Sequence, residues 1–226
     1  MDNPWMELLP SEGSYVLDMD RKAIDRYNDS LHNPEARVML ASIPEPFIGN
    51  PASARVVLLG LNPGHSLENE KEHRGAELQK AMFHNLHHEP QEYPFYPLNP
   101  AFKATGVAEW WRPILRKLHE EPGLDARTIA RGLLVIEWFP YHSKKSALPA
   151  KLVCESQRYC FQLARDMLEK HGAVGVGMRS MDHWVSADRW FGKVPFLKNR
   201  QRPWISRDNM DGGLFDRIVQ ALSGNT

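Results

Sequence analysis

The chain has 226 residues, 42% of them hydrophobic, so it can bury a substantial core without cross-links. Its 28 basic and 28 acidic side chains cancel, so attraction to nucleic acid must come from a local patch rather than from net charge. Cys154 and Cys160, six apart on a helix-patterned segment, suit neither a disulfide nor a metal site. With no apolar stretch near the ~20 residues of a membrane span and no leader-like start, we expect a cytoplasmic protein with no membrane partner. The expected organisation is one domain over 1–226, acting as a monomer.

Residues 1–50 read as a helical extension. Ile24, Tyr27 and Leu31 share one face of a helix over 20–31. Ile43-Pro44-Glu45-Pro46-Phe47 reads as an extended lead-in. The run 55–61 is apolar without alternation, as expected of a strand buried on both faces. It stops at Gly60-Leu61-Asn62-Pro63-Gly64-His65, where Asn-Pro-Gly is turn chemistry. Asn62 and His65 then lie just past the carboxyl end of an inner strand, where open α/β sheets bind ligands.

Residues 66–105 read as an insertion. A polar, His-rich helix over 77–88 precedes Tyr93-Pro94-Phe95-Tyr96-Pro97-Leu98-Asn99-Pro100, whose prolines oppose regular structure. A loop this long is often functional, and covering an apolar edge is the competing reading. Val107, Trp111, Ile114 and Leu118 share one helical face, as do Leu152, Tyr159, Leu163 and Met167. Between them lies a second apolar run, 132–139. The third, 173–178, is Gly-rich, and Ser180 after it reads as the N-cap of a helix over 181–190. A fourth run, 194–197, contains Pro195, which confines it to an edge. Leu214, Ile218, Val219 and Leu222 form a closing helix. This alternation gives an α/β fold, expected as a three-layer α/β/α sandwich around a central, mainly parallel four-stranded sheet.

Parallel strands place their tips on one edge. Beyond the four runs come Asn62 and His65, then Glu137, Tyr141, Lys144 and Lys145, then Arg179, then Lys198, Asn199, Arg200 and Arg202. A neutral protein would thus carry a basic rim around a polar crevice, a footprint for a phosphate-bearing ligand. The competing reading is that loops are polar everywhere.

The turn Gly60-Leu61-Asn62-Pro63-Gly64-His65 resembles the first motif of the uracil-DNA glycosylase superfamily. That motif is Gly-Gln-Asp-Pro-Tyr-His in one branch and Gly-Ile-Asn-Pro-Gly in the mismatch-specific branch. The resemblance implies hydrolysis of the N-glycosidic bond of a flipped, damaged or mismatched base, without a cofactor, and DNA or a nucleotide as partner. It makes Asn62 the residue that holds the attacking water, and places Gly60, Leu61, Pro63, Gly64 and His65 around the base. Glu137 falls where the family often reads the base edge with Asn. Phe95 or Tyr96 would stack on the base, with Tyr141 and Arg179 nearby. Asn199, a second catalytic candidate, Arg200 and Ser206 would occupy the second motif. Lys144, Lys145, Lys198 and Arg202 would meet the nucleic-acid backbone.

The chain also departs from the family pattern. Where catalytic members carry His-Pro-Ser or Asn-Pro-Ser, it has Lys198-Asn199-Arg200-Gln201-Arg202-Pro203-Trp204. Asn62 positions water but cannot deprotonate it. An ionised Glu137 only accepts hydrogen bonds, which favours a base with an exocyclic amine or a nucleotide other than uracil. Two cysteines exclude the four-cysteine iron–sulfur branches. These departures keep open a non-catalytic protein of the same fold that binds a nucleotide or single strand.

Three further patterns are set aside. His84, His87 and His88, near His73 and Glu77, have metal-ligand spacing, but a solvated polar helix explains them and no metal is expected. Gly175-Val176-Gly177 lacks the third glycine of a dinucleotide fingerprint. His142 beside Ser143 and Ser146 has no nucleophile elbow. Trp204, between arginines, is an aromatic able to stack on a nucleic acid.

Overall fold

A computed structural model describes residues 1–10, 13–144, 148, 152–179 and 181–224. Its central sheet has four strands: β2 (Phe47–Ile48), β3 (Val56–Leu59), β4 (Leu133–Ile136) and β6 (Val174–Gly177), in the order β2-β4-β3-β6. β3 pairs in parallel with both β4 and β6, with Leu59 opposite Ile136 and Gly177. β2 runs antiparallel to β4, Phe47 facing Ile136. A second, two-stranded sheet joins β1 (Val38–Met39) to β5 (His142–Ser143). Every residue of β3 and β4 is buried, which explains why neither run alternates.

The fourth strand differs from expectation. The 194–197 run makes a single bridge, Phe196 to Gly177, because Pro195 has no N–H to continue a ladder. The lead-in supplies β2 instead. The sheet is therefore mixed, mostly parallel, and its three parallel strands end together.

Eight α-helices accompany it among the described residues: α1 (Asp18–Asp29), α2 (Leu67–Glu72), α3 (Ala76–Leu86), α4 (Gly106–His119), α5 (Ala126–Gly132), α6 (Gln157–Glu169), α7 (Met181–Ala187) and α8 (Leu214–Ser223). Helix α4 is capped by Thr105, whose hydroxyl accepts from the Ala108 N–H at 3.4 Å. It buries Trp111, Ile114, Leu115 and Leu118 and leaves Trp110 outside. Leu152 lies ahead of α6 rather than in it. The helix expected over 181–190 ends at Ala187, where Asp188 caps a 3₁₀ turn over Arg189–Lys193. Ser180 lies outside the described residues. Trp5, Leu17 and Ile24 belong to the same buried cluster as the sheet, so the N-terminal residues are part of the core. Both cysteines are free and buried, and burial pushes both thiols up. No described helix is long and apolar enough to cross a membrane.

Candidate active site at the carboxyl edge of the sheet

A cavity of about 390 Å³ opens where β3, β4 and β6 end. The 60–66 turn forms one wall, Glu137 follows β4 into it, and Met178 and Arg179 follow β6. Ile48 of β2 and Glu45 just before that strand flank it, with Asn69 and His73 from the 66–105 segment and Val107, Trp110 and Trp111 from α4. The structure thus gathers Gly60, Leu61, Asn62, Pro63, Gly64, His65, Glu137 and Arg179 in one place.

Asn62 has a fixed orientation. Its Nδ2 donates to the Pro63 carbonyl at 2.9 Å, the Tyr141 carbonyl at 3.5 Å and Ser143 Oγ at 2.9 Å. Carbonyl oxygens only accept, so the amide nitrogen must face them, and the atom Asn62 can offer a ligand is Oδ1, an acceptor. The turn is tied to the chain after β4 through the Phe139 N–H on the Leu61 carbonyl, 2.7 Å.

Glu137 sits against Gly60. A methyl group at Gly60 would lie 2.1 Å from Glu137 Oε2, so only glycine leaves room for this carboxyl. The side chain is buried, and Oε2 has no hydrogen-bond partner among the described residues. Burial, reinforced by the nearby Glu45 and opposed by Arg179, pushes Glu137 up to about 8. Glu45 is also raised by burial, but the Tyr96 hydroxyl donates to it and His142 Nε2 lies 3.7 Å away. Of two carboxyls in one site, the better-partnered Glu45 carries the charge and Glu137 the proton.

A histidine group backs the turn. His142 Nδ1 lies 2.6 Å from the Gly64 carbonyl and Nε2 lies 2.8 Å from the Ile43 carbonyl. The ring is thus held between two backbone carbonyls, with the Glu45 carboxyl 3.7 Å from Nε2. His73 Nδ1 accepts from the Ile43 N–H at 3.2 Å, and burial holds its pKa well below the usual value. His65 is also lowered, first by burial and then by His142. Its Nδ1 is 3.4 Å from Ser42 Oγ, and its Nε2 is buried without a partner among the described residues. Arg179 stacks over Trp110, 4.9 Å from the ring centroid, and its Nε is likewise unpartnered. Three buried polar atoms without partners, His65 Nε2, Glu137 Oε2 and Arg179 Nε, therefore line one cavity. Such atoms need a reason, and a polar ligand supplies one.

Other expected residues lie elsewhere. Phe95 is fully buried edge-on to Trp111, and Tyr96 is buried with its hydroxyl on Glu45, so neither faces the cavity. The exposed Trp110 and the buried Trp111 provide its aromatic wall instead. Tyr141 is buried, donating to Asp20 Oδ2 at 2.7 Å. Asn199 is exposed and does not line the cavity; its Oδ1 accepts from the N–H groups of Gln201 and Arg202, a turn-forming task. Asn209 holds this loop, accepting from the Asn199 N–H and donating to the Arg202 and Trp204 carbonyls.

The basic rim is partly neutralised. Lys144 pairs with Glu35 at 3.3 Å and Lys198 with Asp211 at 2.8 Å. Arg200 stacks on Phe196 at 4.8 Å and Arg202 on Trp204 at 5.8 Å. Ser206 starts a 3₁₀ turn without a side-chain cap, and Lys145 and Ser146 lie outside the described residues. The helix expected over 77–88 ends at Leu86, and the three histidines separate: His84 meets Glu89, His87 the Leu8 carbonyl, and His88 the Tyr159 hydroxyl at 2.7 Å. Among the described residues no group of three or more His, Cys, Asp or Glu is placed to hold a metal ion.

Glu45, Asn69, His73 and Trp110 line this cavity although the sequence did not mark them for it. The signal for Glu45 was an acid between two prolines in an apolar stretch. That for Trp110 was its place one step round the helix from the buried Trp111. No family model, curated protein or solved structure matches the chain.

Proposed function

We propose that this cavity holds a nucleobase extruded from DNA and hydrolyses its N-glycosidic bond. The observation that carries the reading is the convergence of Asn62, the rest of the 60–65 turn and Glu137 on one cavity with aromatic walls. The parallel core of the sheet is in keeping with the three-layer sandwich that the resemblance to uracil-DNA glycosylases implies.

Asn62 Oδ1 accepts from the attacking water and orients it. Trp110 and Trp111 offer π-faces to the base. A protonated Glu137 presents an O–H donor beside a carbonyl acceptor, the pair that an Asn amide presents. It thus fits the O=C–N–H edge of a lactam base such as uracil. The expectation of an exocyclic amine assumed an ionised acid, and burial reverses that choice. Arg200, Arg202 and the exposed Trp204 offer the flanking strand charge and a stacking surface.

The test is chromatographic detection of free base from oligonucleotides carrying uracil, hypoxanthine, xanthine or mismatched thymine. Release that falls at least ~100-fold in a folded Asn62→Ala variant is expected. No release from any of them, with folded protein in excess, contradicts the reading. The position of Asn199 favours a second reading, nucleotide or single-strand binding without cleavage. Saturable, salt-sensitive binding with no released base would establish that one.

A further inference from the structure

We propose that Glu137 and His65 form an acid–base pair in this cavity, Glu137 giving a proton to the leaving base and His65 Nε2 taking one from the attacking water. The pair rests on the hydrolytic reading above and supplies the proton transfers that Asn62, which only positions water, cannot. Both side chains line the cavity, and the atoms concerned, Glu137 Oε2 and His65 Nε2, are buried with no partner among the described residues. The Gly60 backbone seats the acid. Ser42 Oγ lies 3.4 Å from His65 Nδ1, and in the tautomer with its hydrogen on Nδ1 that hydroxyl accepts and Nε2 keeps its lone pair for the water.

The step balances. The water oxygen bonds to the sugar anomeric carbon as the C–N bond breaks, its electron pair passing to the base. The Glu137 proton goes to the base carbonyl oxygen conjugated with that nitrogen, and one water proton goes to His65 Nε2. Glu137 ends as a carboxylate and His65 as an imidazolium, and exchange with solvent restores both.

The environments set the two groups in opposite directions. Glu137, facing Glu45 and Arg179, keeps its proton up to about pH 8. His65, facing His142, Lys144 and Glu70, stays neutral below its usual value of 6.5. Near neutral pH the acid is therefore protonated and the base neutral, the states the step requires.

The experiment measures kcat/KM against pH for single-stranded oligonucleotides carrying uracil or 5-fluorouracil, the fluorine making the base a better leaving group. Wild type should give a bell with its upper limb near pH 8 and its lower limb below 6.5. Glu137→Gln should release uracil ~10²–10⁴-fold more slowly, lose the upper limb, and recover most of its rate with 5-fluorouracil. A purely structural role would not give that recovery. His65→Gln should lose the lower limb. Calorimetry should show free uracil binding to Glu137→Gln within about threefold of wild type, marking a folded cavity. If wild type releases uracil and Glu137→Gln keeps both rate and upper limb, the pair is wrong and the hydrolytic reading stands. If wild type releases nothing from these strands or from the panel above, both fall.

Discussion

Replacing Gly60 by Ala tests the geometry of the site with one methyl group. The new Cβ would lie 2.1 Å from Glu137 Oε2, 2.6 Å from Cδ and 2.7 Å from Oε1. The backbone cannot yield easily. The Gly60 N–H donates to the Ile136 carbonyl at 2.9 Å, and the Gly60 carbonyl accepts from Trp184 Nε1 at 2.7 Å. The carboxyl must therefore retreat, by about 1.3 Å to reach ordinary contact at 3.4 Å. Gly60 has no left-handed backbone, so Ala is admissible there and would by itself add ~0.4–1 kcal/mol through the unfolded state. Overpacking opposes this with ~1–3 kcal/mol, leaving a net loss of about 0–2.6 kcal/mol. A displacement of this size at a reacting group lowers kcat/KM on the order of 100-fold, about 2.7 kcal/mol on the barrier. Urea unfolding and the base-release assay measure the two effects separately. Gly192→Ala is the control, because its Cβ would meet nothing nearer than Val185 at 3.9 Å. A Gly60→Ala protein as stable and as active as wild type would refute the claim that this glycine seats Glu137.

Glu137→Gln should raise stability at neutral pH. Unfolded, Glu137 holds its proton only below about 4.5, and folded, up to about 8, so the folded protein binds the extra proton between these values. The stability from burying the neutral acid is complete below 4.5 and is lost as pH rises toward 8. The glutamine variant, neutral throughout, should be more stable by roughly 3 kcal/mol at pH 7 and by less than about 0.5 kcal/mol at pH 4.5, read from urea midpoints. Trp110→Ala should change stability by less than ~0.5 kcal/mol, since the side chain is 47% exposed, yet weaken calorimetric base binding by about 1–3 kcal/mol. Asn209→Ala should cost roughly 1–3 kcal/mol and speed amide exchange at Gln201 and Arg202, as the loop loses its internal brace.

Where a residue's role follows from local chemistry, it could be read from the sequence. The uniform apolarity of 56–59 and 133–136 announced strands covered on both faces, and Asn-Pro-Gly announced the turn that carries Asn62. Glu137 and Arg179 were legible as strand-end residues once the strands were parallel. Long-range pairing was not legible. Only tertiary contact decides that Phe47–Ile48, rather than the run with Pro195, completes the sheet. Burial was equally hidden for Phe95 and Tyr96: a proline-rich aromatic stretch looks the same whether it lids a cavity or packs beneath it. The charge of Glu137 required the most context, because it depends first on burial and then on Glu45, which approaches from a segment some ninety residues upstream.

The claim most open to direct observation is that the Glu137 carboxyl is neutral at physiological pH. Carbon-13 NMR of glutamate-labelled protein, followed from pH 4 to pH 10, reports each side-chain carboxyl separately. One carboxyl resonance should titrate near pH 8 and be missing from Glu137→Gln. Assignment of Glu137 to a resonance that titrates near 4.5, like an exposed glutamate, would remove both the lactam-reading edge and the proton donor.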